Sequence, residues 1–139
     1  MISDHAGPLT ASSTLATPTP WASPDAPLLV TMGDASGIGP EIIARAAAQG
    51  ALDDAVVIGD VGVLRRALAE CGIACSVASL ERPSDRGDCP PGVLAVCEPA
   101  GLPPGLAGLP HGVVDARNGR AAAICVEHAV TCALEGRAR

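Results

Sequence analysis

Short apolar runs alternate with stretches of helical periodicity from residue 28 onward. Four runs of about five apolar residues predict buried strands, since continuous apolar runs of this length are typical of parallel sheets. These runs are residues 28–32, 55–59, 73–77 and 93–97. Helices are predicted over residues 40–49, 61–71 and 118–135, and each ends next to a glycine. The alternation predicts an α/β fold in which βαβ units build a parallel sheet with right-handed crossovers.

The two ends of the chain depart from this pattern. Residues 1–27 are rich in Ser, Thr, Pro and Ala without periodicity, which predicts a disordered tail before a domain of residues 28–139. Residues 84–91 and 99–110 are predicted to be loops, because proline and glycine interrupt them. After the last helix only three residues remain, so the repeating architecture is expected to be incomplete at the C-terminus, as in a fragment or a truncated gene product.

Composition narrows the class of protein. Hydrophobic residues make up 48% of the chain and aromatic residues 1%, with Trp21 alone, so the core is predicted to consist of aliphatic side chains. The formal net charge of −6 and the lack of lysine disfavour nucleic-acid binding, which depends on neutralising phosphates. Neither a membrane-length apolar run nor a signal-peptide pattern occurs, so a soluble cytoplasmic protein is expected. The six cysteines are expected to be buried and reduced.

The segment 31–41, with the sequence T-M-G-D-A-S-G-I-G-P-E, lies between the first strand and the first helix. Glycines at such a junction permit positive φ and close approach of a ligand, and the helix start attracts anions. We therefore predict a cofactor-binding loop formed by Gly33, Asp34, Gly37 and Gly39. Two simpler interpretations stay open: the segment is only a tight turn, or the Asp34 carboxylate caps its own turn or the helix.

The same segment resembles the signature T-M-G-D-P-A-G-I-G-P-E-I of the 4-hydroxythreonine-4-phosphate dehydrogenases. The match runs from Thr31 to Ile42, with Ala35-Ser36 in place of Pro-Ala. The segments 57–60 and 112–119 also resemble that family. A shorter loop, G-D-G-I-G-P-E, occurs in isocitrate and isopropylmalate dehydrogenases. This similarity implies an architecture of the isocitrate/isopropylmalate dehydrogenase type.

The short-chain dehydrogenases are an alternative relative. Gly33, Gly37 and Gly39 reproduce their G-x-x-x-G-I-G spacing, and Asp60 resembles their ribose-binding acid, although it is also placed to cap the second helix. Pro40-Glu41 directly after the last glycine favours the hydroxythreonine phosphate family instead.

The favoured resemblance implies an oxidoreductase that uses NAD or NADP and a divalent metal such as zinc, magnesium or cobalt. Its implied reaction is the oxidation, with decarboxylation, of 4-phosphohydroxy-L-threonine in pyridoxal phosphate (vitamin B6, pyridoxine) biosynthesis, by a cytoplasmic homodimer. D-Threonate or D-erythronate 4-phosphate is an alternative substrate in the same family. No residue matches that family's metal-binding histidines, its His-Thr pair or its phosphate-binding cations, so no catalytic or metal-binding residue is assigned. The polypeptide alone is expected to be inactive, and a non-catalytic relic is a further alternative.

Other metal-ligand and charged residues are interpreted as structural. His5 lies in the predicted tail and His111 in a Pro/Gly-rich loop, where exposure is expected. Cys125, His128 and Cys132 share one helix face, which is interpreted as a packing face because zinc needs a fourth ligand. Cys71 and Cys75 lack further metal ligands at suitable spacing. Arg117 and Arg120 are expected to be solvated at the surface.

Overall fold

The computed structural model describes residues 24–139, in which four parallel strands form one sheet of order β1-β2-β4-β3. The strands are β1 (Leu28–Thr31), β2 (Ala55–Ile58), β3 (Ser76–Leu80) and β4 (Val93–Cys97). The helices are α1 (Gly39–Ala48), α2 (Val61–Glu70) and α3 (Ala116–Leu134), with two short 3-10 helices at Pro83–Asp88 and Leu106–Gly108. The predicted α/β class with a parallel sheet is confirmed.

Both faces of the sheet are covered, as continuous apolar strands require. On one face, Val57 of β2 and Leu94 of β4 belong to the same buried cluster as residues of α1 and α2. On the other, Val56 and Ile58 of β2 pack with Cys125 of α3. Neighbouring strand residues point to opposite faces, so β2 is fully buried over its whole length.

The three helices end next to the glycines that were predicted to terminate them. Gly50, Gly72 and Gly136 have φ values of +71°, +66° and +72°. At the end of α2, the Gly72 N–H donates to the Ala69 carbonyl at 3.0 Å and the Ile73 N–H donates to the Leu68 carbonyl at 2.9 Å. This pair of bonds is the Schellman arrangement, which satisfies the last carbonyls of a helix.

The third strand was predicted three residues too early, at 73–77 instead of Ser76–Leu80. The bond between Ile73 and Leu68 keeps Ile73 at the end of α2, where its side chain packs against the core. The chain therefore reaches the sheet only at Ser76, which pairs with Val93.

The predicted loop at residues 84–91 was also wrong in part, because Pro83–Asp88 forms a 3-10 helix. Pro83 starts it and is buried, and the buried Arg86 side chain donates to the Cys89 and Asp53 carbonyls. The bond to Asp53 spans 33 positions, so no periodic pattern in the sequence indicates it.

Residues 1–23 of the predicted tail, which include His5 and Trp21, lie outside the described residues. Its last residue, Pro27, is buried, and its carbonyl accepts the Arg139 N–H at 3.0 Å. None of the helices in residues 24–139 is long and apolar enough to cross a membrane.

All six cysteines are free thiols, as predicted. Cys97, Cys125 and Cys132 are buried, and burial raises the pKa of Cys125 to about 11, which disfavours the reactive thiolate. The other three differ from the prediction of full burial, because they are only half-buried: Cys71, Cys75 and Cys89.

The start of α3 provides a test by pH. Asp115 caps the helix, and the Arg117 side chain and backbone N–H donate to its carboxylate, lowering the pKa of Asp115 to about 2 from 3.8. The lowered pKa stabilises the folded state at pH values above 3.8, the pKa of the unfolded chain. This stabilisation is lost as the pH falls through about 2. We expect Arg117→Leu to raise the pKa of Asp115 toward 3.8, as measured by NMR titration of the carboxyl carbon. Arg120→Leu, on the same helix, serves as the control and should leave it unchanged.

Candidate functional site

The glycine-rich loop lies at the carboxyl end of the sheet. It connects β1 to α1, and the segments after β2 and β4 place Asp60 and Glu98 at the same end. Ligands of open parallel α/β sheets bind at this end of the strands. The candidate site is therefore the loop, the start of α1 and the surfaces that adjoin them.

Two of the loop glycines are explained by the loop itself. Gly33 has a φ of +75°, a conformation that side chains disfavour. A Cβ atom on Gly39 would lie 2.4 Å from the Met32 carbonyl oxygen, so only glycine fits at the first position of α1. Gly37 is exposed, and its N–H donates to the Asp34 carbonyl at 3.1 Å.

The Asp34 carboxylate closes the turn. Its Oδ1 accepts the Ser36 N–H at 2.8 Å, and the side chain is exposed. This bond corresponds to the simpler of the roles that the sequence offered for Asp34, the closing of its own turn, and it orients the loop.

The α1 start differs from the starts of the other two helices. Ile38 occupies its N-cap position and makes no side-chain capping bond, whereas Asp60 and Asp115 cap α2 and α3. At α2, Asp60 accepts the Val63 N–H at 2.8 Å and Glu98 accepts the Val61 N–H at 2.7 Å. Asp60 therefore acts as the predicted helix cap. The short-chain alternative assigns this carboxylate to a ribose instead.

An open groove of about 530 Å³ adjoins the α1 start. One wall is the loop segment from Ser36 to Ile38, and the other consists of α2 and the segment containing His111. Within this second wall, His111 Nε2 lies 2.9 Å from Glu70 Oε2. His111 was expected only to be exposed, and its contact with Glu70 was not predicted. Glu70 and His111 are 41 positions apart in the sequence, which explains why no local pattern indicated the pair.

Arg66 ties the loop to the rest of the domain. Its Nη2 donates to the Ala35 carbonyl at 2.7 Å, while Nη1 donates to the carbonyls of Ala107 at 2.7 Å and Leu109 at 2.9 Å. One guanidinium thus joins the glycine-rich loop to the long connection before α3. Arg66 could not be singled out from the sequence, since an arginine on a helix is usually solvated.

Ser36 and Asn118 hold the other side of the loop. The Asn118 Nδ2 donates to Ser36 Oγ at 2.8 Å, and both side chains are buried. The Gly112 N–H donates to the Ser36 carbonyl at 2.9 Å. Together with the Arg66 bond, these two bonds hold the loop through three long-range contacts.

The residues on α3 do not fit a metal centre. Cys125 and Cys132 are buried, and His128 Nε2 lies 3.9 Å from the Cys97 sulfur. No three His, Cys, Asp or Glu side chains within residues 24–139 are grouped to hold a metal ion. This part of the chain therefore does not fit the divalent metal that the resemblance implies, and no chemical step is assigned to one. Arg120 is exposed, as predicted.

Comparison with known proteins identifies relatives of one kind. No family model matches the chain. It is 36% identical over 112 residues to the D-threonate 4-phosphate dehydrogenase of Pectobacterium atrosepticum, covering 78% of this chain and 33% of the relative. It is 38% identical over 117 residues to the 4-hydroxythreonine-4-phosphate dehydrogenase of Beijerinckia indica, covering 83% and 33%.

Solved structures agree with these relatives. The crystal structure of the 4-hydroxythreonine-4-phosphate dehydrogenase from Klebsiella pneumoniae matches with a TM-score of 0.67 and 36% identity, over 81% of this chain and 35% of that one. The enzyme of the same name from Burkholderia phymatum matches with a TM-score of 0.68 and 28% identity, over 81% and 34%. The chain spans about a third of the length of these relatives. The predicted resemblance is confirmed: over that third, the chain is a member of the 4-hydroxythreonine-4-phosphate dehydrogenase family.

Proposed function

From this relationship, we propose that residues 28–139 form part of an NAD- or NADP-dependent dehydrogenase of the isocitrate/isopropylmalate dehydrogenase type. Its substrate is 4-phosphohydroxy-L-threonine, which it oxidises with decarboxylation in pyridoxal phosphate biosynthesis. The identity of 36–38% to dehydrogenases of both names carries this proposal. Because both names specify a 4-phosphate, D-threonate or D-erythronate 4-phosphate is the second candidate substrate.

The geometry of the loop supports a role in holding an anion. The exposed Gly37 and Ile38 lie at the amino end of α1, where no side chain supplies a cap. The helix dipole and the free N–H groups at such an end favour a phosphate. Gly33 and Gly39 shape the loop, Asp34 closes it, and the adjoining groove provides space for the rest of the ligand.

The family's metal-binding histidines, its His-Thr pair and its phosphate-binding cations have no counterparts in this chain. In the whole enzyme, a divalent metal would supply Lewis acidity. We propose that this enzyme is a cytoplasmic homodimer. We therefore expect no formation of NADH or NADPH by the polypeptide alone. Measurable turnover by the purified chain, with substrate, cofactor and zinc or magnesium present, would contradict this expectation.

The binding role is tested by NMR titration of the ¹⁵N-labelled 139-residue chain. The ligands are NAD⁺, NADP⁺, 4-phosphohydroxy-L-threonine, D-threonate 4-phosphate and D-erythronate 4-phosphate. We expect at least one to shift the amide signals of Gly37, Ile38 and Glu41, and the ligand that does so separates cofactor from substrate binding.

A variant at the helix cap provides the control. Ile38→Asp places a carboxylate at the α1 start and should abolish the shifts, whereas Ile38→Val keeps the position neutral and should preserve them. If none of the five ligands perturbs these amides, the loop does not bind an anion and the non-catalytic alternative is favoured.

A further inference from the structure

The groove beside the α1 start is lined by two pairs of ionisable side chains. Glu41 and Arg45 of α1 form an ion pair, with 2.9 Å between Glu41 Oε1 and Arg45 Nη2. Glu70 of α2 faces His111, and both of its carboxylate oxygens lie within 3.1 Å of His111 Nε2. The two glutamates and the single arginine leave one negative charge uncompensated in the groove when the imidazole is neutral. Protonation of His111 removes this excess.

The contact with Glu70 also determines which ring nitrogen of His111 is free. Because a carboxylate only accepts hydrogen bonds, Nε2 is the nitrogen that donates to Glu70. Nδ1 makes no hydrogen bond in the part of the chain that the structure describes, and the side chain is 56% exposed. The Gly112 N–H donates to the Ser36 carbonyl at 2.9 Å, which holds His111 beside the glycine-rich loop. A free ring nitrogen therefore lies in the same groove as the α1 start.

We propose that His111 completes the anion site at the α1 start and takes up a proton from solvent on Nδ1 when the anion binds. This inference rests on the proposed function, because the anion is the one expected at that helix end. Without the proton, the excess charge of Glu70 repels an anion in the groove. With it, Nδ1–H becomes a charged donor, and the imidazolium balances Glu70. The site then suits a dianion such as a phosphate monoester, held by the loop on one wall and by His111 on the other.

The other charged groups around the groove leave this role to His111. Arg66 Nε lies 3.9 Å from Glu70 Oε1, but the terminal nitrogens of Arg66 donate to three carbonyls, so its charge offsets Glu70 only in part. Arg45 is already paired within α1. Cys71, a half-buried thiol, is the remaining titratable side chain in the lining of the groove. Imidazole is the side chain whose charge ordinarily changes between about pH 5 and 8, so a dependence of binding on pH in this range reports His111.

The test is the affinity of the 139-residue chain for sulfate, which keeps its double negative charge throughout this range. The dissociation constant is measured at about pH 5.5 and at about pH 8 from the amide shifts of Gly37 and Ile38. We expect sulfate to bind roughly 10-fold more tightly at the lower pH, because the repulsion by Glu70 is then compensated.

Three variants separate the charge of His111 from its position. His111→Gln keeps a donor for Glu70 but cannot gain a charge, so sulfate should bind at both pH values as weakly as it binds the original chain at about pH 8. Glu70→Gln removes the repulsion and should tighten binding roughly 5-fold at about pH 8. Glu127→Gln removes an exposed carboxylate on α3, outside the lining of the groove, and should leave both dissociation constants unchanged.

The proton itself is observed by NMR of the imidazole rings. At about pH 7.5, saturating sulfate should move the ring ¹⁵N signals of His111 toward those of an imidazolium, and the signals of His128 on α3 should stay in place. Sulfate binding that is equally tight at both pH values, or that leaves the His111 ring unchanged, overturns this inference and leaves the proposed function standing. Failure to bind sulfate at the lower pH also overturns it, and the titration with the five ligands then decides the proposed function separately.

Discussion

Replacing Gly39 by alanine is expected to lower the free energy of unfolding by about 2 to 3 kcal/mol. The new Cβ atom would lie 2.4 Å from the Met32 carbonyl oxygen, a backbone atom that cannot rotate away. Relief therefore requires a shift of α1 relative to the end of β1, which disturbs the loop between them. Urea unfolding followed by far-ultraviolet circular dichroism measures the effect.

The control for this substitution is Gly87→Ala. Gly87 is exposed, its φ is not positive, and a Cβ atom there meets nothing within 4 Å. The free energy of unfolding should stay the same or rise by up to about 1 kcal/mol, since alanine restricts the unfolded chain. Equal effects at the two positions would show that the Met32 contact does not determine the need for glycine at Gly39.

These glycines show how far the sequence predicts the fold. Gly50, Gly72 and Gly136 mark helix ends correctly, because a positive φ after a helix is a local requirement with a local signature. Strand β4 was predicted with its observed bounds, since its apolar run lies between Gly92 and Glu98. Strand β3 was misplaced because Ile73 is apolar for a different reason: it packs at the end of α2. Apolar character indicates burial, but it does not distinguish strand from helix end.

The candidate site was predictable only where it is continuous in sequence. The loop was located from its glycines, and the structure places it at the carboxyl end of the sheet beside an open groove. Arg66, His111 and Asn118 contact the loop or its groove from positions 31 to 82 residues away from their partners. Such contacts depend on how the helices are stacked on the sheet, and hydrophobic periodicity carries no information about them.

Arg66 is expected to be the most important of these distant contacts. We expect Arg66→Met to lower the free energy of unfolding by about 2 to 4 kcal/mol, because it removes the charged donor shared by three carbonyls. Methionine keeps the apolar stem, so the loss reports the guanidinium and not the packing of the side chain. Urea unfolding measures the global effect, and hydrogen exchange at the Gly112 amide measures whether the loop contact opens.

The neighbouring Arg65→Met is a matched control, because Arg65 is exposed on the same helix and makes no side-chain bond within residues 24–139. It should change stability by less than about 0.5 kcal/mol. If Arg66→Met speeds exchange at Gly112 far more than global unfolding explains, then Arg66 acts mainly by holding the loop against the connection before α3. If exchange at Gly112 only follows global stability, the two segments open together with the whole domain. In that case the buried bond between Asn118 and Ser36, and not the Arg66 side chain, determines the position of the loop.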